Sequence, residues 1–416
     1  HYKAHSQLNL IIYLEIPDLY NSIDDELIAV DLAETDKNAT LFNREFQGKL
    51  LDLTGNELYN AITRYEATQE ALAKIVVFAF LHSAEDISDV KSANFLQNMQ
   101  EKVNDICSKL VFFTLELNKI SNEDLAEKYA ASTDLQRYMP WLEKIRLFKN
   151  HQLSDDLERL LLEKEAICNS GWNRLYDETL ADLRFDLDGK KIDISRVLNQ
   201  LTDADEVKRK AAALALTTGL KDKIKLFTLA YNNVIKDKEI EDRWHHFNTP
   251  ISSRNLSNQV EDETVKLLVD TVVENYVKLS HRYYKLKAKW LGVEQLDWWN
   301  RLAPPLPHSN EYIPWEKAKS IVLDAYLAFA PELYKIAQLF FDNNWISAHL
   351  KDGKRSGAFS HPSVPTGHPY ILLNYHGKIR DVMTLAHELG HGIHQYLAKK
   401  HGLLLSNTPL VLAETA

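Results

Sequence analysis

Asp381 to Lys400 reads DVMTLAHELGHGIHQYLAKK. Val382, Leu385, Leu389, Ile393 and Leu397 recur at the three- and four-residue steps of a helix, so one stripe is apolar and suited to face a core. The same helix carries His387-Glu388-Leu389-Gly390-His391. Four residues advance a helix by about 6 Å on one face, which lets two imidazoles converge on one tetrahedral Zn²⁺. Glu388 then flanks the open coordination position. There it can take a proton from a water whose pKa the metal lowers and later pass it to the leaving amide nitrogen. The plainer alternative is a charged helix face.

Such a site needs a third ligand, and the chain offers His394 and Glu414. His394 falls on the ligand face but lies seven residues, about 10 Å along the axis, beyond His387. It is expected to be a cleft residue. The longer extension His-x-x-Gly-x-x-His also fails, because its last two positions carry His394 and Leu397. Glu414 fits better. Thr408 and Pro409 resemble an N-cap and first helical residue, opening Leu410 to Ala416, and a carboxylate in that apolar setting wants a partner.

Moving outward, Pro369 to Tyr375 contains one short apolar run, Tyr370-Ile371-Leu372-Leu373-Asn374-Tyr375, long enough for a single strand. Its edge, including Asn374, is expected to pair with an extended peptide backbone without reading its side chains. Before it comes a stretch rich in glycine, serine and proline, Gly353 to Gly367. There the loop Ser356-Gly357-Ala358-Phe359-Ser360 could bring backbone close to a ligand, which makes Gly357, Ala358 and Phe359 candidate substrate contacts beside Asn374 and His394. The adjacent His245 and His246 point apart on any regular element, and Trp298-Trp299 reads as core.

From about Asp24 to Tyr176 the apolar residues keep helical spacing, as in Leu157-Leu160-Leu161-Leu162. At Arg184 to Ile194 the pattern alternates around Asp188-Gly189, the signature of a β-hairpin. Helical periodicity then returns, with Thr202 and Asp203 as candidate N-caps. The proline cluster Ala303 to Pro307 interrupts it, and a new helix opens near Pro314-Trp315. The expected class is mainly α, with a small β-hairpin and an edge sheet near the metal helix. A boundary near residue 180 gives an N-terminal helical lobe, 1–180, and a catalytic domain, 181–416.

The 416 residues, 45% hydrophobic, suffice for at least two lobes. A formal charge of −10 and a pI near 5.9 repel phosphate backbones, so no nucleic-acid partner is expected. Cys107 and Cys168 are too few for a disulfide framework. With no apolar run of membrane length, and no signal-peptide order in His1 to Leu10, the expected setting is cytoplasmic, away from membranes.

The sequence resembles the M3 family of zinc peptidases, in the oligoendopeptidase F branch. The likeness rests on SGAFS at Ser356 to Ser360, PYILLNYHGKIRDVMTLAHELGHGIHQYLA from Pro369 to Ala398, and PLVLAETA from Pro409 to Ala416. A weaker likeness reaches Asp18-Leu19-Tyr20. The resemblance implies a two-lobed helical metallopeptidase, a zincin, whose central channel limits substrates to short unstructured oligopeptides. It assigns one Zn²⁺ per chain to His387, His391 and Glu414, and catalysis to Glu388. It also implies further channel wall, with tyrosine and histidine oxyanion donors, beyond the segment matching Leu412 to Ala416. The catalytic domain is therefore expected to be incomplete at its C-terminal end. The alternative to a zinc endopeptidase is then a catalytically incomplete zinc- and peptide-binding fragment, which a missing C-terminal segment of the same enzyme would complete.

Overall fold

The computed structural model describes residue 16 and residues 18–304 and 312–415. The opening His1 to Leu10, and Pro305 to Pro307 of the proline cluster, lie outside the described residues.

The N-terminal part is helical because its apolar residues sit on helical stripes between well-formed caps. Helix α1 (Glu26–Phe46) starts at Asp25, whose side chain accepts the Leu27 N–H. Helix α2 (Gly55–Glu85) opens with a reciprocal Thr54–Glu57 capping box, and α3 (Val90–Ser108) with Asp89. Their buried stripes meet Phe112, Phe113 and Leu142 from later, shorter helices in one core.

The hairpin expected around Asp188-Gly189 is present as β1 (Phe185–Leu187) against β2 (Lys190–Ile192). Both turn residues have positive φ, 52° and 76°, as a two-residue turn matched to strand twist requires. Helices α4 (Ile194–Gln200) and α5 (Glu206–Lys221) cover it, burying Phe185, Val197 and Ala212. The cap of α5 differs from expectation. Asp205 accepts the Val207 N–H, while Asp203 accepts the N–H of Asp205 in the turn before it. Trp299 packs against this small core, but Trp298 is 54% exposed rather than buried.

Helix α6 (Trp315–Phe329), opening after Pro314 as expected, pairs with α7 (Pro331–Asp342). Three strands follow: β3 (Ile346–Ser347), β4 (Ala358–His361) and β5 (Tyr370–Leu373). Their order is β3-β5-β4, with β3 parallel and β4 antiparallel to β5. The expected edge strand is therefore central, and the glycine-containing stretch read as a loop supplies the edge. The physical reason is double-sided burial. Ile371 and Leu373 enter the core that holds Phe340, while Tyr370 enters the N-terminal core, and a strand covered on both faces belongs inside a sheet.

Helix α8 (Ile379–Ala398) lies across this sheet with Val382, Leu385, Leu389 and Ile393 buried. Leu397, expected on the same stripe, is exposed. A Cβ on Gly392 would sit 2.7 Å from Phe340 Cζ, so glycine there lets α8 and α7 approach, at a helix-propensity cost of about 1 kcal/mol. Two short helices, α9 (Leu403–Ser406) and α10 (Leu410–Ala413), complete the described chain. Among the described residues no helix is long and apolar enough to cross a membrane.

Lys354 locks the sheet from beneath. Only 6% exposed, it donates from Nζ to the carbonyls of Ser347, His349 and Leu373 and to Ser347 Oγ, joining the ends of β3 and β5. Burial pulls its pKa down from the ordinary 10.5 to about 8, against the opposing attraction of Glu85. The unfolded chain thus binds more protons than the folded one between those values, and stability rises with pH across that window. Urea unfolding should show the native chain gaining up to about 3 kcal/mol relative to Lys354→Met over that window. A stability difference that is flat with pH would contradict this.

Candidate active site

With the apolar stripe of α8 held in the core, its other side carries the polar residues. Asp381, in the first turn, accepts the backbone N–H groups of His376 and Lys378, both at 2.9 Å, placing an anion at the positive end of the helix. Midway along, Tyr326 donates its hydroxyl to the Ala386 carbonyl at 2.8 Å. Near the other end, Ser360 Oγ donates to Gln395 Oε1 at 2.8 Å and Gln395 Nε2 donates to the Ser360 carbonyl at 3.3 Å, which fixes the edge strand β4 against α8. Sequence reasoning missed this pair. Its signal is the position of Gln395, one turn beyond His391.

Nε2 of His387 and Nε2 of His391 lie 3.1 Å apart. Glu414 Oε2 is 3.6 Å from the first and 3.8 Å from the second. Glu414 follows the last residue of α10, a helix shorter than expected: Pro409 takes the capping position and the helix ends at Ala413. Donors held 2.0–2.2 Å from a tetrahedral ion sit roughly 3.4 Å from one another, and the three separations bracket that value. These two imidazoles and one carboxylate could hold one metal ion. They are the one group of three or more potential ligands gathered this closely among the described residues.

Glu388 differs sharply from its neighbours. It is 7% exposed, whereas the side chains of His387 and Glu414 are 52% and 63% exposed. Burial raises its carboxyl pKa above the ordinary range; His387 opposes the shift and Glu414 adds to it. Burial lowers the pKa of His391, and the adjacent His387 lowers it further. That favours the neutral imidazole, the form that binds metals.

The other candidates are distributed as follows. His394 stays outside the three-donor cluster. Gly357, with φ +84°, lines a cavity of about 150 Å³ together with Ala358, Asn374 and Thr384. Asn374 donates its amide to the carbonyls of Arg355 and Gly357, at 2.9 and 3.1 Å, and so shapes the turn into β4. Phe359 turns its ring toward Phe80 of α2, 5.6 Å between centroids, and pairs with Leu372 of β5. His245 faces Glu158 across 3.5 Å, far in sequence from α8. A larger cavity, about 980 Å³, is lined by residues such as Val234, Asp242 and Phe247 and by none of the candidate site residues.

Comparison with known proteins gives two family matches. Residues 200–416 match the model described as peptidase family M3, and residues 116–185 the one described as oligopeptidase F. Oligopeptidase PepF of Bacillus subtilis is 26% identical over 369 residues, covering 86% of this chain and 54% of the relative. Group B oligopeptidase PepB of Streptococcus agalactiae is 25% identical over 383 residues, covering 90% and 62%. The chain thus spans between half and two thirds of the length of these relatives. Among solved structures, PZ peptidase A, determined with an inhibitor, shares the fold with a TM-score of 0.74 at 16% identity, over 92% of this chain and 66% of that one.

If the three donors act as one site, zinc present at about a hundredfold above its Kd should stabilise the protein by roughly 3 kcal/mol in thermal unfolding. His391→Ala and Glu414→Ala should each shrink that gain. An undiminished zinc-dependent rise in Tm in both variants would remove these residues from the site.

Proposed function

The chain belongs to peptidase family M3, in its oligoendopeptidase F branch, and from that premise we propose that it is a zinc-dependent endopeptidase of short, unstructured oligopeptides. The observation that carries this reading is the convergence of His387, His391 and Glu414, all three donor atoms within 4.8 Å of one another, beside the buried carboxylate of Glu388.

Zinc held by those three residues supplies a Lewis acid and a water that ionises near neutral pH. The rest belongs to the chain. Glu388 accepts a proton from the attacking water and returns it to the amide nitrogen of the departing peptide, so the C–N bond breaks without releasing a free amide anion. Its raised pKa brings the carboxyl closer to the working pH, where both halves of that transfer are accessible. An extended substrate is assigned to the outer side of β4 at its Gly357–Ala358 end, because further along the Ser360 carbonyl already accepts from Gln395, and main-chain pairing tolerates many side chains. Gly357 and Ala358 stand at the start of that edge. Residues 1–180 form an N-terminal lobe and residues 181–416 the catalytic domain, with the substrate channel between them and a cytoplasmic setting for the whole.

The exposure of His387 and Glu414 favours a second reading. A site this open loses part of the electrostatic advantage of a water-excluded one. The chain would then be a zinc- and peptide-binding fragment that turns over only when a further segment of the same enzyme covers the site.

A quenched fluorescent oligopeptide separates the readings. Cleavage that a chelator abolishes and zinc restores is expected of the endopeptidase, and stoichiometric zinc without cleavage of the fragment. Glu388→Gln should keep its zinc while kcat falls by at least about a hundredfold. Full activity in that variant would overturn the role given to Glu388.

A further inference from the structure

We propose that Glu66, on α2 of the N-terminal helical cluster, is a positioning residue for Glu414, an inference that rests on the zinc reading above. Glu66 is 8% exposed, and uncharged donors engage both of its oxygens. The Tyr138 hydroxyl donates to Oε2 at 2.5 Å, and the backbone N–H of Leu404 donates to Oε1 at 3.0 Å. Leu404 lies in α9, on the stretch of chain that runs from the end of the metal helix to Glu414.

The fit between Glu66 and this stretch is close. Gly402 has φ +86°, and a Cβ there would lie 2.5 Å from Glu66 Oε1. A side chain at 402 is therefore excluded twice, by backbone conformation and by the carboxylate. Around this contact Arg137 donates to the His401 carbonyl at 2.9 Å, and Leu404 and Leu405 pack against the N-terminal core. One turn further along α2, Glu70 accepts the N–H of Thr366 at 2.9 Å, while Lys399 donates to the Gly367 carbonyl at 2.8 Å. Two carboxylates four residues apart on α2 thus grip the chain before β5 and after α8.

Among the described residues no hydrogen bond ties the stretch beyond α9 to α2. Helix α10 is four residues long and exposes Leu410, Val411 and Leu412. The place of Glu414 is consequently set by where the chain leaves α9, and Glu66 fixes that point. The two donors satisfy one oxygen each of this buried side chain, so the Glu66 carboxyl keeps hydrogen-bond partners away from water. Residues hydrogen-bonded directly to a metal ligand typically change metal affinity by ten- to a hundredfold, and Glu66, which acts through the backbone of α9, is assigned the lower end of that range.

The test is a double-mutant cycle on zinc affinity, measured by competition with a chromophoric chelator, with the thermal midpoint of the zinc-free protein recorded alongside. Glu66→Gln should weaken zinc binding about tenfold in the native background and cause no further loss in Glu414→Ala. An equal loss in both backgrounds, or no loss in either, would overturn the positioning role. If Glu66→Gln does not fold, Arg137→Met takes its place in the same cycle, since Arg137 is exposed and holds the same turn through His401. If Glu414→Ala alone leaves zinc affinity unchanged, the ligand assignment fails and the positioning role falls with it.

Discussion

A helix can offer a fixed row of polar groups only if its opposite stripe is anchored, and α8 is anchored by Val382, Leu385, Leu389 and Ile393. Each such side chain contributes roughly 1.5–3 kcal/mol on burial, so rotating α8 about its axis would forfeit far more than the polar face could regain. Gly392 brings the helix close to Phe340, and Tyr326 and Asp381 fix its middle and its start. The 3.1 Å separation of the two imidazole nitrogens follows from this anchoring and from the four-residue spacing.

The three-stranded sheet connects that helix to the rest of the molecule. One of its faces meets the core around α8 and the other meets α2, where Phe359 and His361 stand against Phe80. Lys354 ties the strand ends, and Gln395 ties the edge strand to α8. A displacement of α2 would therefore reach the edge strand through the sheet and the Glu414 segment through Leu404. The N-terminal helices thus contact both segments that carry the candidate site, though none of the proposed ligands comes from them.

Legibility in the sequence divides along the same lines. The helix α8, the long N-terminal helices and the hairpin at Asp188-Gly189 could be read because their determinants are neighbours in the chain. The strand positions could not. The run Tyr370 to Leu373 shows its apolar character, but whether such a run is central or at an edge depends on partners that begin at Ile346 and Ala358. The SGAFS stretch reads as a turn because serine and glycine dominate it, and pairing with β5 overrides that preference. Glu66 and Lys354 were invisible for a related reason. Their partners are mostly backbone groups, which every residue carries, and in the case of Glu66 one lies 338 positions away. His387, Glu388, His391 and Glu414 could be named as candidates from residue type and spacing, but the burial of Glu388 beside two exposed neighbours could not.

The most direct measurement is zinc K-edge X-ray absorption on the zinc-loaded protein and on Glu414→Ala. Two imidazole nitrogens and a carboxylate oxygen, all at about 2.0–2.2 Å, are expected in the native protein, with the oxygen contribution reduced in the variant. A shell that contains sulfur, or one that the variant leaves unchanged, would contradict a site built from α8 and Glu414.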